Sequence, residues 1–315
     1  MMKSGTVVAT ALCALGTSSA FTGPLGTNIR VNRGVVKQVW RNVGRSMHMA
    51  TVADTYEVTV KGEENTMEYR AFFKQGGKEI SPWHDIPLKA GADTFNYVCE
   101  IPKYSLAKME IATKEENNPI AQDMKKGKLR FYHGPIFWNY GYMPQTWEDP
   151  SVKHPQLEVM GDGDPVDVVE IGSAKLSSGA VKEVKPLGCL AMIDDGELDW
   201  KVIAIDVDDP LAKELNDIAD VEEKLPGHVS GIREWFRWYK TPDDKPLNAF
   251  GFGEKAIGKA RANFLRCFGP LMMLQSPWCS SSSGAETLKV IEECNEHWKN
   301  LMEGKTDAGK MWTKK

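Results

Sequence analysis

Closely spaced cysteines are missing from this chain. Its six, Cys13, Cys99, Cys189, Cys267, Cys279 and Cys294, are scattered over 315 residues, and no CxxC occurs. That pattern argues against a zinc site and a disulfide scaffold, and it fits a reducing destination. Long apolar runs are missing too. The stretch Val7–Leu15 falls well short of the about 20 residues a bilayer span needs. Complete nucleotide-binding motifs are also absent. Gly304-Lys305-Thr306 ends like a P-loop, but Lys299 stands where the first glycine must be. Gly251-Phe252-Gly253 opens a GxGxxA with no βαβ pattern around it. Val202–Asp208 resembles an aspartyl-phosphatase strand but runs into Pro210. Finally, residues 1–50 contain no acid at all.

Those first residues carry six basic side chains, Lys3, Arg30, Arg33, Lys37, Arg41 and Arg45. The whole chain has 39 Lys+Arg against 43 Asp+Glu, a net of −4, so residues 51–315 carry −10. Residues 1–20 have a basic start, a short apolar core and small residues up to Ala20, the layout of a secretory signal. Residues 21–50 are basic, with Ser and Thr, like an organellar transit peptide. The junction Ser19-Ala20-Phe21-Thr22-Gly23-Pro24 resembles the bipartite plastid presequences of algae with secondary plastids. The expectation is a plastid stromal protein, with secretion, or cytoplasmic synthesis from an internal start, as alternatives.

Hydrophobic residues at 42% and charged residues at 26% are ordinary globular values, and 51–315 reads as a single domain. Strand patterns fall at 56–60, 67–73, 95–101, 106–112, 128–132, 166–171, 181–193 and 199–207. Asp194-Asp195-Gly196 is a hairpin turn between the last two. Helical patterns come late, at 217–224, 227–239 and 285–303. In the last, Leu288, Ile291, Cys294, Trp298 and Leu301 share a face, with Ser283 and Glu286 at capping-box spacing. Many short strands followed by a few helices predict a mainly β, α+β domain: a barrel with flanking helices. Residues 261–284 are apolar, patternless and end in four serines. They interrupt a helical approach from Lys259-Ala260 to Ala285-Glu286, and read as a lineage insertion or a retained intron.

Asp162-Gly163-Asp164-Pro165-Val166-Asp167 packs three carboxylates into six residues. Such crowding costs free energy unless cations sit between the charges, and hard oxygen ligands suit Mg²⁺ or Mn²⁺. An EF-hand loop is excluded, because its obligatory glycine would be Asp167. An acidic surface turn gives the same local pattern. Asp194 and Asp199 flank the hairpin turn and share a rim with Lys201. Lys108 and Glu110 are two apart on a strand and share a face. Glu100 closes the strand before, and Arg130 alternates with apolar neighbours. Carboxylates for metals with Lys and Arg for an anion make the inventory of a phosphoryl-transfer site.

Longer motifs sharpen this. Glu100-Ile101-Pro102-Lys103, Lys126-Gly127-Lys128-Leu129-Arg130-Phe131, Asn139-Tyr140-Gly141, Pro144-Gln145-Thr146-Trp147-Glu148-Asp149-Pro150, Gly161–Val168, Asp199–Ile205 and Trp235–Lys240 occur in this order. The order resembles that of the soluble inorganic pyrophosphatases of family I, eukaryotic type. The resemblance implies a five-stranded closed barrel of OB type with additional strands, and Mg²⁺-dependent hydrolysis of pyrophosphate to two phosphates. It implies that Asp162, Asp167 and Asp199 hold the tightest metal, that Asp164 orients the attacking water, and that Glu110 and Asp194 hold or neighbour further metals. Glu100 would act on a metal through water. Lys108, Arg130, Tyr140, Lys201, Tyr239 and Lys240 would bind phosphate, and Asp164, Lys108, Arg130 and Tyr140 form the catalytic set. Ile136 stands where many eukaryotic members have a second tyrosine. Lys103-Tyr104 replaces an Arg-Trp pair that supports the dimer in fungal relatives, so monomer and homodimer both stay open. Neither nucleic acid nor a stable membrane contact is expected. A metal-dependent transferase acting on a diphosphate-linked sugar, or an OB-type nucleic-acid binder, are the alternatives; the −10 charge opposes the second.

Overall fold

The computed structural model describes residues 56–259 and 287–314. The two presequence segments, the 261–284 segment and the Ser283/Glu286 capping pair lie outside them. The strands are β1 (Glu57–Lys61), β2 (Arg70–Gln75), β3 (Lys78–Ile80), β4 (Phe95–Ile101), β5 (Met109–Ile111), β6 (Ile120–Gln122), β7 (Met124–Lys125), β8 (Lys128–Leu129), β9 (Asn139–Tyr142), β10 (Met160–Gly161), β11 (Asp167–Glu170), β12 (Val181–Asp194), β13 (Glu197–Asp206), β14 (Ala249–Phe250) and β15 (Ile257–Gly258). The helices are α1 (Ile218–Lys224), α2 (His228–Trp238) and α3 (Thr287–Met302).

Five strands pair in a ring. β4 pairs with β9, β9 with β11, β11 with β13, β13 with β12, and β12 returns to β4. In chain order these are strands one to five, paired 1-2-3-5-4-1. Only the three–five pair, β11 with β13, is parallel. This is the OB arrangement. Closure depends on β12. Its first residues, Val181–Val184, face β4, while Val184–Asp194 run along β13 with a register shift between Pro186 and Gly188. A bulge is where a proline can sit inside a strand, and bulges bend strands. A smaller sheet, β1-β2-β6-β5 with β3 on β2, packs beside the barrel and brings β5 to the site.

Strand alternation sets what each barrel face carries. On β13, Trp200, Val202 and Ala204 join one core cluster with Val168 and α3 residues Val290, Ile291 and Cys294. Ile203 and Ile205 join the other, with Val169 and α2 residues Val229, Ile232 and Phe236. Asp199 and Lys201 share the parity of Ile203 and Ile205. They therefore continue that second face past the end of its apolar core.

The expected elements are present with shifted ends. The strand expected at 106–112 shrinks to β5. The one at 128–132 ends at Leu129 and continues only as a bridge between Ala107 and Phe131. β9 was not anticipated, because Asn139-Tyr140-Gly141-Tyr142 has no apolar alternation. It is fully buried between β4 and β11, and a Cβ at Gly141 would stand 1.9 Å from the Val98 carbonyl oxygen. Ile257–Gly258 is strand, paired with β12; the helical approach expected from Lys259-Ala260 to Ala285-Glu286 lies, beyond Lys259, outside the described residues.

Candidate active site

The acidic loop is positioned by hydrogen bonds to the Trp147-Glu148 segment, about fifteen residues earlier. The Glu148 amide donates to the Asp164 carbonyl, the Gly163 amide to the Glu148 carbonyl, each at 2.9 Å, and the Trp147 indole to the Gly163 carbonyl at 2.8 Å. β10, just before the loop, pairs with the start of β13 at Glu197 and Leu198. The Glu148 side chain, almost fully buried, accepts from the Trp200 amide at 3.1 Å. As a result one carboxylate oxygen from each of Glu148, Asp162 and Asp199 lies within 4.8 Å of the others. Asp162 also accepts from the Asp164 amide at 2.9 Å.

The cations interleave with these acids. The Lys201 ammonium, buried, donates to Asp167 at 2.5 Å, to the Tyr140 hydroxyl at 3.1 Å and to Asp199. Tyr140 donates its own proton to Asp167. β13 and β11 are in register here, with Asp167 opposite Lys201. At the turn of the β12–β13 hairpin, Asp195 and Gly196 both have positive φ, 51° and 95°, the geometry a two-residue turn needs. The turn holds Asp194 against Lys240 and against Tyr239, whose hydroxyl donates to it at 3.0 Å. Tyr239 and Lys240 follow directly on α2, whose apolar stripe is anchored in the core.

A third group lies opposite. Lys108 donates to Glu110 at 2.5 Å and to Asp123 at 3.0 Å, and Arg130 to Asp123 at 2.5 Å. Backbone bonds strap these residues together: Lys108 to Arg130, Asp123 to Lys108 and Arg130 to Asp123. Glu100 is buried behind them, where it accepts from the Ile111 amide at 2.6 Å.

Burial and mutual repulsion shape the charges. Burial first, then Asp199 and Asp164, holds the Asp162 carboxyl well above its ordinary range. Burial, then Asp162 and Asp199, does the same to Glu148. Asp164 projects into the cleft; the enclosing walls, then Glu110 and Asp167, push it up to about 6. Asp199 is pushed up to about 7 by burial, against the pull of Lys201. Burial would lower the Lys201 ammonium, but Asp167 and Asp199 outweigh it and hold it well above the usual lysine range. Crowded hard-oxygen donors that resist ionisation fit a divalent cation, which removes the repulsion.

Every site residue anticipated from sequence lines one cleft of about 510 Å³. Asp162 and Asp199 lie in the carboxylate group, with Glu148 as its third member; Asp167 stands beside it, engaged by Lys201 and Tyr140. Three functional candidates escaped the sequence reading: Glu148, Asp123 and Tyr132. Glu148 sits in the quoted Trp147-Glu148-Asp149 motif, which was the available signal. Asp123 had none, since only the backbone straps place it between Lys108 and Arg130. Ile136, at the position where many eukaryotic members have a second tyrosine, is fully buried in the core.

Residues 97–265 match the family model described as inorganic pyrophosphatase. The chain is 57% identical over 216 residues to soluble inorganic pyrophosphatase 1, chloroplastic, of Chlamydomonas reinhardtii, covering 68% of this chain and 77% of that one. It is 49% identical over 255 residues to soluble inorganic pyrophosphatase 6, chloroplastic, of Arabidopsis thaliana, covering 80% and 77%. Among solved structures, inorganic pyrophosphatase from Schistosoma japonicum aligns with a TM-score of 0.70 at 42% identity, covering 80% of this chain and 83% of that one.

Proposed function

The chain belongs to the inorganic pyrophosphatase family and hydrolyses pyrophosphate to two orthophosphates, and on that premise we propose that the cleft described above is where it does so. The observation that carries this reading is the meeting of the Glu148–Asp162–Asp199 carboxylates with Lys108, Arg130, Lys201 and Lys240 in one cleft. Pyrophosphate is a compact polyanion. An incoming water meets strong repulsion until the phosphate charge is neutralised.

Glu148, Asp162 and Asp199 would hold divalent cations, with Asp164, Asp167, Asp194 and Glu110 lining the same cleft; Mg²⁺ is the proposed ion. What bound divalent cations supply there is charge neutralisation and a more acidic water. Lys108, Arg130, Lys201 and Lys240 bind phosphoryl oxygens, and Tyr140 and Tyr239 steady them. An Asp164 carboxylate oxygen accepts the proton as the water oxygen adds to phosphorus. The bridging P–O bond breaks, and the second phosphate leaves with its electron pair. Asp123 keeps Lys108 and Arg130 together, and Glu100 braces β5 beneath Glu110.

The test is phosphate release from pyrophosphate by the full chain with and without Mg²⁺, beside Asp164→Asn. A parent rate that needs Mg²⁺ and falls about 10²–10⁴-fold in the variant is the expected result. A fully active variant removes Asp164 from this role.

The chloroplastic relatives and the basic, acid-free residues 1–50 support import into a plastid, with 1–20 as signal, 21–50 as transit peptide and 51–315 as one enzyme domain. A reporter fused behind residues 1–50 that stays in the cytosol or is secreted rejects this. Residues 261–284 are read as an insertion or a retained intron. The Thr287 hydroxyl lies 3.2 Å from the carbonyls of Ile257 and Gly258, so the chain resumes beside the point where it left. A transcript lacking these codons rejects the insertion.

A further inference from the structure

Four tyrosines line the cleft, and their hydroxyls differ in what they do. Tyr140 gives its proton to Asp167 and Tyr239 gives its own to Asp194. The Tyr142 hydroxyl is sealed in the core without a partner. Tyr132 is the exception. Among the described residues its hydroxyl makes no hydrogen bond to protein, and it is not among the sealed polar atoms.

Its ring is nonetheless fixed. It packs edge-on to Trp235 at 4.9 Å and to Tyr239 at 5.9 Å between ring centres. Its amide donates to the Leu106 carbonyl at 2.7 Å. It stands two residues after Arg130 in extended chain, so both side chains leave the backbone on one side. The electrostatic neighbours of the phenol are Lys108, Asp167, Lys201 and Glu100, which places the hydroxyl among the site's charges. Burial keeps it protonated, so it remains a neutral donor.

A rigid, protonated donor open to an anion cleft has a defined use. The lysines and arginine here are already shared with carboxylates. A phenol adds a donor without adding a charge for those acids to capture. Hydrogen bonds to anionic oxygen are shorter and stronger than neutral ones.

We propose that Tyr132 binds the substrate directly, its hydroxyl donating to a non-bridging oxygen of pyrophosphate beside Lys108 and Lys201. This rests on the reading of the cleft as the pyrophosphate site. It assigns the residue a binding role in addition to packing.

Tyr132→Phe keeps the ring and removes only the oxygen. In the full chain with Mg²⁺, KM for pyrophosphate should rise about tenfold, the effect of losing one hydrogen bond to a charged group. The kcat should stay within about twofold, since the bond already exists in the ground state. Affinity for imidodiphosphate, measured by calorimetry with Mg²⁺, should fall by the same factor. Tyr132→Leu should show the same KM rise and a lower Tm as well. Unchanged KM and unchanged analogue affinity in the Phe variant overturn the proposal whatever kcat does, as does a KM rise confined to the Leu variant. A parent chain that releases no phosphate overturns the underlying reading instead, and that is seen before any variant is compared.

Discussion

At the scale of single residues, the site is governed by shared charges. Lys201 is the clearest case: one buried ammonium serves Asp167, Asp199 and the Tyr140 hydroxyl. Removing it leaves two carboxylates in a low-dielectric wall with no cation. Lys201→Met should lower metal-free stability by about 3–5 kcal/mol, the cost of orphaning a buried charge. Mg²⁺ should restore part of that loss, because it supplies the missing positive charge. Thermal unfolding with and without Mg²⁺ checks both; a variant as stable as the parent without metal refutes the first. Lys201 was legible in sequence as a cation beside Asp199 on the hairpin rim. Its bond to Asp167 was not, because that contact depends on β11 lying parallel to β13.

At the scale of elements, the last helix and the C-terminal residues are tied down by His84. The Trp298 indole can only donate, so His84 Nδ1 accepts at 3.0 Å and the ring proton sits on Nε2, facing the Trp312 carbonyl at 3.1 Å. Trp83 stacks on the ring at 4.5 Å. Burial, against the pull of the Trp312 carbonyl and of Asp85, holds the imidazole down to about 4 from an ordinary 6.5; Lys314 adds to the lowering. Between those values the unfolded chain binds a proton that the folded one refuses. The stabilisation is therefore complete above about pH 6.5 and lost as pH falls through 4, in total about 3 kcal/mol. His84→Gln, which can still accept from Trp298, should flatten the fall of Tm between pH 6.5 and 4. An identical pH profile refutes this. The apolar face of α3 was readable from its spacing: Ile291, Cys294 and Leu301 are all buried. The two hydrogen bonds of the His84 ring, to the Trp298 indole and to the Trp312 carbonyl, join residues 214 and 228 positions apart, beyond any local pattern.

At the scale of the molecule, part of the acidity of residues 51–315 lines the cleft, where burial raises its cost. Asp164 and Asp199 titrate up near 6 and 7 in the fold, against an ordinary 3.8. The folded protein keeps protons there that the unfolded chain has released. These two groups therefore weaken metal-free stability as pH rises from about 4 to 7, the reverse of His84. A cation bound among the ionised carboxylates reverses the loss. Mg²⁺ should raise Tm more at pH 8 than at pH 5.5, with a stabilisation of about 2.7 kcal/mol at a hundredfold excess over Kd. Differential scanning calorimetry at the two pH values is the check; an equal shift at both would separate metal binding from these carboxylates.

The sequence by itself determined the parities and the local charges. A strand period of two puts Lys108 with Glu110, and Asp199 with Lys201, whatever surrounds them. Six residues holding Asp162, Asp164 and Asp167 are crowded in any fold. The amphipathic spacing of 227–239 commits that segment to cover a core and to present Tyr239 and Lys240 at its end. Only the tertiary structure decided which acids share a cation. Glu148 reaches Asp162 and Asp199 through backbone bonds between the Trp147-Glu148 segment and the acidic loop. Asp123 reaches Lys108 and Arg130 through a strap of main-chain bonds that any side chains could make. Tyr132 enters the cleft because Trp235 and Tyr239, a hundred residues on, fix its ring. Ring closure through β12 brings these partners together. Such contacts depend on main-chain pairing across long loops, which leaves no periodic trace in the residues it joins.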